Sequence, residues 1–102
     1  MNTDKQFYEI ACSFPVMRNN GVEKGYIPGI KPDRFCADTL SKFHSEIAGL
    51  WSSGEVLVLE CLLNLYNPGT YPVFNLGYAA NVWDSTHMLA CLRAVSRVYN
   101  GK

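Results

Sequence analysis

Residues 52–66 read SSGEVLVLECLLNLY, and this stretch decides the fold. Ser52 and Glu55 have the spacing of a capping box, in which each side chain accepts a hydrogen bond from the other residue's backbone N–H at the start of a helix. The residues that follow are almost all apolar, with only Glu60 and Asn64 as polar interruptions. A helix that is apolar on all sides is buried on all sides. The stretch therefore predicts a buried central helix over residues 53–66.

Two helices are predicted on the N-terminal side of this stretch. The first begins at a second capping box, Thr3 with Gln6, and ends near Phe14, because the residue before Pro15 avoids the helical region. The second covers residues 33–51, begins after Pro32, and carries one apolar stripe that includes Leu50 and Trp51. Residues 18–32 contain several turn signals and predict a long irregular connection, which is a candidate binding loop.

On the C-terminal side of this stretch, the sequence signals for helix are weak over residues 70–81 and clear from Asp84 onward. Residues 72–81 predict a short helix, with an extended piece near residues 70–74 as the alternative. Asp84 has the position of an N-cap before a last helix over residues 85–99. The inner stripe predicted for that helix is Met88, Leu92, Val95 and Tyr99.

These elements predict an all-α fold, a small bundle of four to five helices with the 53–66 helix at its centre. The chain has 102 residues, of which 48% are hydrophobic and 18% charged, so we expect one globular domain over residues 1–102. Lys and Arg together number 9, as do Asp and Glu, and this balance argues against a nucleic-acid or membrane surface. The N-terminal residues have no signal-peptide pattern, so we expect a cytoplasmic protein.

The cysteine and histidine patterns predict no metal site and no cofactor. The four cysteines are far apart in sequence and form no C-x-x-C motif, so we interpret them as reduced structural thiols on apolar faces, where a thiol is inert. No glycine-rich phosphate loop is present in the sequence. We therefore expect a protein that folds without a bound metal or cofactor.

The distribution of basic residues is the most unusual feature. Residues 43–92 contain no lysine or arginine. Burial in a core would explain this, and so would a protein–protein interface, where lysine is depleted and aromatic residues are enriched. The aromatic content of the region favours the interface. The first functional hypothesis is therefore a non-enzymatic binding or adaptor module that forms a homodimer through Tyr71, Phe74 and Tyr78.

The second functional hypothesis is a small-molecule site or a minor enzyme. Its predicted lining residues are His44, Glu46, Trp83, Asp84 and His87. Asp84 stands three residues before His87, a spacing at which a carboxylate can orient a general base. Capping of the last helix by Asp84 explains the same pair without catalysis.

Overall fold

The computed structural model describes residues 3–47, 49–71 and 74–101. In these ranges the chain forms six α-helices and one antiparallel hairpin, which confirms the predicted all-α fold but with more helices than the four to five predicted, because α2 forms where the sequence predicts no helix. The elements are α1 Asp4–Cys12, α2 Pro15–Asn19, β1 Ile30–Lys31, β2 Arg34–Phe35, α3 Ala37–Ile47, α4 Ser53–Tyr66, α5 Leu76–Val82 and α6 Ser85–Asn100. None of the helices in the described ranges is long and apolar enough to cross a bilayer.

Helix α4 is the buried centre that its sequence predicts. Glu55 N–H donates to Ser52 Oγ at 3.3 Å and Ser52 N–H donates to Glu55 Oε1 at 2.9 Å, so the capping box is complete. Helices α1, α2, α3, α5 and α6 all contact α4. Its fully buried residues are Leu57, Val58, Leu59, Cys61, Leu62 and Leu63.

The N-terminal helix also begins as predicted, but the chain does not become irregular after it. Thr3 and Gln6 form both hydrogen bonds of their capping box, and α1 ends at Cys12. Pro15 then occupies the first turn of α2, where a residue without a backbone N–H leaves no donor unsatisfied. Helix α2, a 3-10 turn at Val22–Lys24 and strand β1 occupy seven of the fifteen residues of the predicted connection over residues 18–32, and the other eight belong to no helix or strand.

The helix predicted over residues 33–51 is wrong at both ends. Pro32 lies in the turn between β1 and β2, where Ile30 pairs with Phe35, and the helix begins only at Ala37. Gly29 has a φ of 93°, and a Cβ there would lie 2.6 Å from the Cys36 carbonyl oxygen, so this close approach requires glycine.

The C-terminal end of α3 is set by another glycine. Helix α3 ends at Ile47, and Gly49 has a φ of 90°, a conformation that ends helices and that glycine adopts readily. Leu50, predicted on the inner stripe, is 81% exposed as a result. Trp51 remains partly buried against the core, with its ring centroid 5.6 Å from that of Phe43.

Helix α5 begins later than predicted. Asn75 is its N-cap and accepts a hydrogen bond from Tyr78 N–H at 2.8 Å. Pro72 and Val73, where the sequence predicted the helix start, lie outside the described residues. The extended alternative near residues 70–74 is not seen at Thr70, Tyr71 or Phe74, which belong to no strand.

Helix α6 is capped by Asp84 as predicted, but it is rotated relative to the prediction. The residues that face the core are small, namely Ala90, Cys91 and Ala94. The predicted inner residues Leu92, Val95 and Tyr99 are exposed, and Leu92 is 53% exposed. The larger apolar residues of α6 therefore lie on its outer side.

The central position of α4 predicts a large effect of truncating Leu59, which is fully buried. Leu59→Ala should lower the free energy of unfolding by about 2–5 kcal/mol, since it removes buried apolar contacts and leaves a cavity. Leu50→Ala makes the same chemical change at an exposed site and should stay within about 0.5 kcal/mol of wild type. Urea unfolding followed by circular dichroism measures both variants. Equal losses for the two variants would contradict the burial of α4.

Candidate functional site

The N-termini of α2, α4 and α6 meet at a cavity of about 290 Å³, which we call the Trp83 pocket. It is small beside typical ligand sites, whose volumes begin at about 300 Å³. Its lining residues are Val16, Asn19, Ser52, Gly54, Glu55, Val82, Trp83, Asp84 and His87. Three of the five residues predicted for a ligand site therefore lie together here.

His87 connects two helix N-termini through both of its ring nitrogens. Val16 N–H donates to His87 Nε2 at 3.3 Å, so Nε2 carries no proton. Nδ1 then carries the proton and donates it to Asp84 Oδ1 at 2.9 Å. Phe14 is the N-cap of α2, and its apolar side chain cannot accept a hydrogen bond from the first turn of the helix. His87, from a distant part of the chain, accepts the hydrogen bond of Val16 N–H instead.

The two carboxylates of the pocket are likewise used at helix N-termini. The backbone N–H of His87, followed by its ring, lowers the pKa of Asp84. The backbone N–H of Ser52 lowers the pKa of Glu55 in the same way. Both groups are thus held as anions where a helix dipole favours negative charge. The hydrogen bonds of Asp84, Glu55 and His87 therefore satisfy backbone groups at the N-termini of α6, α4 and α2, which meet at this pocket.

Trp83 is held in a fixed orientation between these helices. Its Nε1–H donates to the Gly54 carbonyl oxygen at 2.8 Å, and its ring stacks on Phe74 with centroids 5.5 Å apart. The ring of Phe14, which lies between α1 and α2, packs against the Trp83 ring with centroids 6.0 Å apart. The indole N–H is therefore satisfied inside the protein, as expected for a partly buried tryptophan.

The other two predicted ligand residues do not line this pocket. His44 Nε2 lies 3.0 Å from Glu60 Oε2, an ion pair between α3 and α4 when the imidazole is protonated. Glu46 is exposed on α3. Sequence reasoning also missed Val16 and Glu55 as pocket residues. The Ser52–Glu55 capping box was a signal for Glu55, whereas nothing local to Val16 indicates its bond with His87.

The predicted interface residues have different environments. Tyr71 OH donates to Asp38 Oδ1, and this bond raises the pKa of Tyr71 to about 12. Phe74 is partly buried against the core and Trp83. Tyr78 on α5 is about half exposed. Of the three, Tyr78 is therefore the one that offers most of its side chain to another molecule.

The four cysteines differ in burial, since Cys61 and Cys91 are buried whereas Cys12 and Cys36 are only partly buried. Cys36 is partly exposed at the start of α3, and hydrogen bonds from the side chain and backbone of Thr39 lower the pKa of its thiol. Burial raises the pKa of Cys12, as expected for a thiol on an apolar face. No group of three or more His, Cys, Asp and Glu side chains in the described ranges could hold a metal ion.

The bond between Val16 and His87 predicts a structural role for this imidazole. His87→Leu should lower the free energy of unfolding by about 1–3 kcal/mol, because the backbone N–H of the buried Val16 loses its acceptor. His44→Leu is the matched control and should cost at most about 1 kcal/mol, because its partner Glu60 still reaches water. Urea unfolding at neutral pH measures both. A His44→Leu loss as large as that of His87→Leu would contradict this role.

Comparison of the chain with protein-family models, with curated proteins and with solved structures gave no match. Its function must therefore be inferred from its own residues. Two features are available for this, the internally bonded Trp83 pocket and the exposed apolar side chains of α6.

Proposed function

We propose that this protein is a non-enzymatic binding module that associates with a second copy of itself through the outer face of α6. The observation that carries the proposal is a row of large apolar side chains on that face, all about half exposed or more. We call this row the α6 apolar face. It consists of Leu89, Leu92, Val95 and Tyr99.

The spacing of these residues makes the α6 apolar face continuous. They recur at intervals of three and four along α6, and such residues are neighbours on a helix surface. The opposite side of the same helix contacts the core through Ala90, Cys91 and Ala94. Helix α6 is thus apolar on two sides, and the core covers one of them.

The size of the α6 apolar face suits a dimer contact. The exposed parts of its side chains amount to on the order of 400 Å², as large as the apolar patches that mark interaction sites. A stable dimer covers about 800 Å² of each subunit, of which somewhat more than half is apolar.

The charge balance of the chain supports a second copy as the partner. The formal net charge at pH 7 is +0, so two copies do not repel each other at long range. The four cysteines are unpaired, which suits the reducing cytoplasm that we propose as the location.

A ligand site in the Trp83 pocket is the alternative, and its geometry supports it less. Asp84 and His87 bond to each other and to backbone groups of the surrounding helices. Trp83 donates its N–H to Gly54. The polar groups of this pocket are thus largely used within the protein, whereas the leucine and valine side chains of the α6 apolar face are exposed to solvent.

The proposed dimer predicts a specific effect of charge at Leu92. Leu92→Glu places an unpaired carboxylate in a dry contact and should weaken dimerisation about 30-fold or more, which corresponds to about 2 kcal/mol or more. Leu50→Glu makes the same change at an exposed leucine outside α6 and should leave dimerisation unchanged. Sedimentation velocity from about 1 to 100 μM measures the dissociation constants, and circular dichroism checks that helicity is kept.

Two results would contradict the proposal. The first is a wild-type chain that sediments as a monomer at about 100 μM, well above the micromolar constants of specific complexes. The second is an equal effect of Leu92→Glu and Leu50→Glu, since a general rise in charge would then explain any dissociation.

A further inference from the structure

Two buried thiols face each other between α4 and α6. The Sγ atoms of Cys61 and Cys91 are 3.8 Å apart, and each residue is 1% exposed. An S–S bond is about 2.05 Å long, so small side-chain rotations and a slight approach would bring the sulfurs to bonding distance. Neither thiol takes part in the α6 apolar face or in the Trp83 pocket.

The contact between the two sulfurs is compatible with the backbone spacing of an ordinary pair of packed helices. Helix axes lie about 8–10 Å apart in packed pairs, and each Cα is about 2.3 Å from its axis. Two residues that face each other across such a contact therefore have Cα atoms about 3.4–5.4 Å apart, which overlaps the range of about 4.4–6.8 Å that a disulfide spans. Ala90 and Ala94, the small buried neighbours of Cys91, permit such a close contact.

We propose that Cys61 and Cys91 form an oxidisable dithiol that hydroperoxides convert to an intramolecular disulfide between α4 and α6 without unfolding the protein. The inference is independent of the proposed dimer, because it concerns the inner side of α6. In a reducing compartment such a disulfide is a transient redox state that small-molecule thiols reverse.

The oxidation proceeds in two balanced steps. The Cys91 sulfur attacks one oxygen of hydrogen peroxide, the O–O bond breaks, water leaves, and Cys91 becomes a sulfenic acid. The Cys61 sulfur then attacks the Cys91 sulfur, the S–O bond breaks, and a second water leaves with the Cys61 proton. Two thiols thereby lose two electrons and two protons, and the peroxide is reduced to two waters.

The hydrogen bond between the thiols assists the first attack. One thiol donates to the other, and either sulfur can be the donor. The accepting sulfur has more thiolate character and is the better nucleophile, so when Cys91 accepts, Cys91 reacts first and Cys61 resolves the sulfenic acid.

The disulfide should stabilise the fold measurably. The two cysteines are 30 residues apart in sequence, and closing a loop of that length restricts the unfolded chain. For a chain of this size the expected rise in Tm is on the order of 10 °C. Reduction with dithiothreitol should return the Tm to its starting value.

The test uses the full-length Cys12→Ser/Cys36→Ser variant, in which only the proposed pair remains. The folded variant is treated with hydrogen peroxide, quenched with catalase, denatured, and alkylated with N-ethylmaleimide. Intact mass should show the loss of two hydrogens and no maleimide, and a proteolytic map should join the peptides of Cys61 and Cys91. Peptide mapping of the oxidised wild-type chain gives the same readout if the double substitution disturbs folding.

Cys61→Ser in the same background is the matched control. It removes the resolving thiol, so Cys91 should gain oxygen under peroxide instead of forming an intramolecular disulfide. Three results would overturn the proposal. The first is that both Cys61 and Cys91 still react with maleimide after a peroxide dose that oxidises Cys36 in wild type. The second is that the disulfide forms only in denaturing urea. The third is that the disulfide joins Cys91 of one chain to Cys91 of another.

Discussion

The burial of the apolar residues of α4 is the constraint on which the rest of the structure depends. These residues are removed from water because α1, α2, α3, α5 and α6 all contact α4. Its N-terminus still presents backbone N–H groups, and the Ser52–Glu55 capping box satisfies two of them. The same end of α4 contributes Gly54 and Glu55 to the Trp83 pocket, so the centre of the core and the junction of helix N-termini are one connected arrangement.

Helix α6 shows how packing against α4 determines which residues remain available for function. The inner face of α6 consists of small residues, and its large apolar residues face outward. Cys91 lies on the inner face and Leu92, the next residue, on the outer one. The proposed redox pair and the proposed dimer contact are therefore two consequences of one helix orientation.

Local signals in the sequence predicted much of this fold, whereas tertiary contacts decided the rest. Both capping boxes and the Asp84 N-cap depend on residues within one helical turn, so spacing alone identifies them. The central position of α4 follows from the apolar composition of its whole length. The rotation of α6 depends on which of its two apolar faces contacts the core, and hydrophobic periodicity does not encode that choice. The bond between Val16 and His87 joins residues 71 positions apart, beyond any local pattern.

The orientation of α6 is the central claim, and a pair of substitutions on opposite faces tests it most directly. Urea unfolding at a protein concentration that keeps the chain monomeric gives the change in unfolding free energy for each. Ala94→Leu should destabilise the protein by about 1–3 kcal/mol, because a larger side chain does not fit the close contact with α4. Leu92→Ala should stay within about 0.5 kcal/mol of wild type, because its side chain faces solvent. A larger loss for Leu92→Ala than for Ala94→Leu would contradict the account.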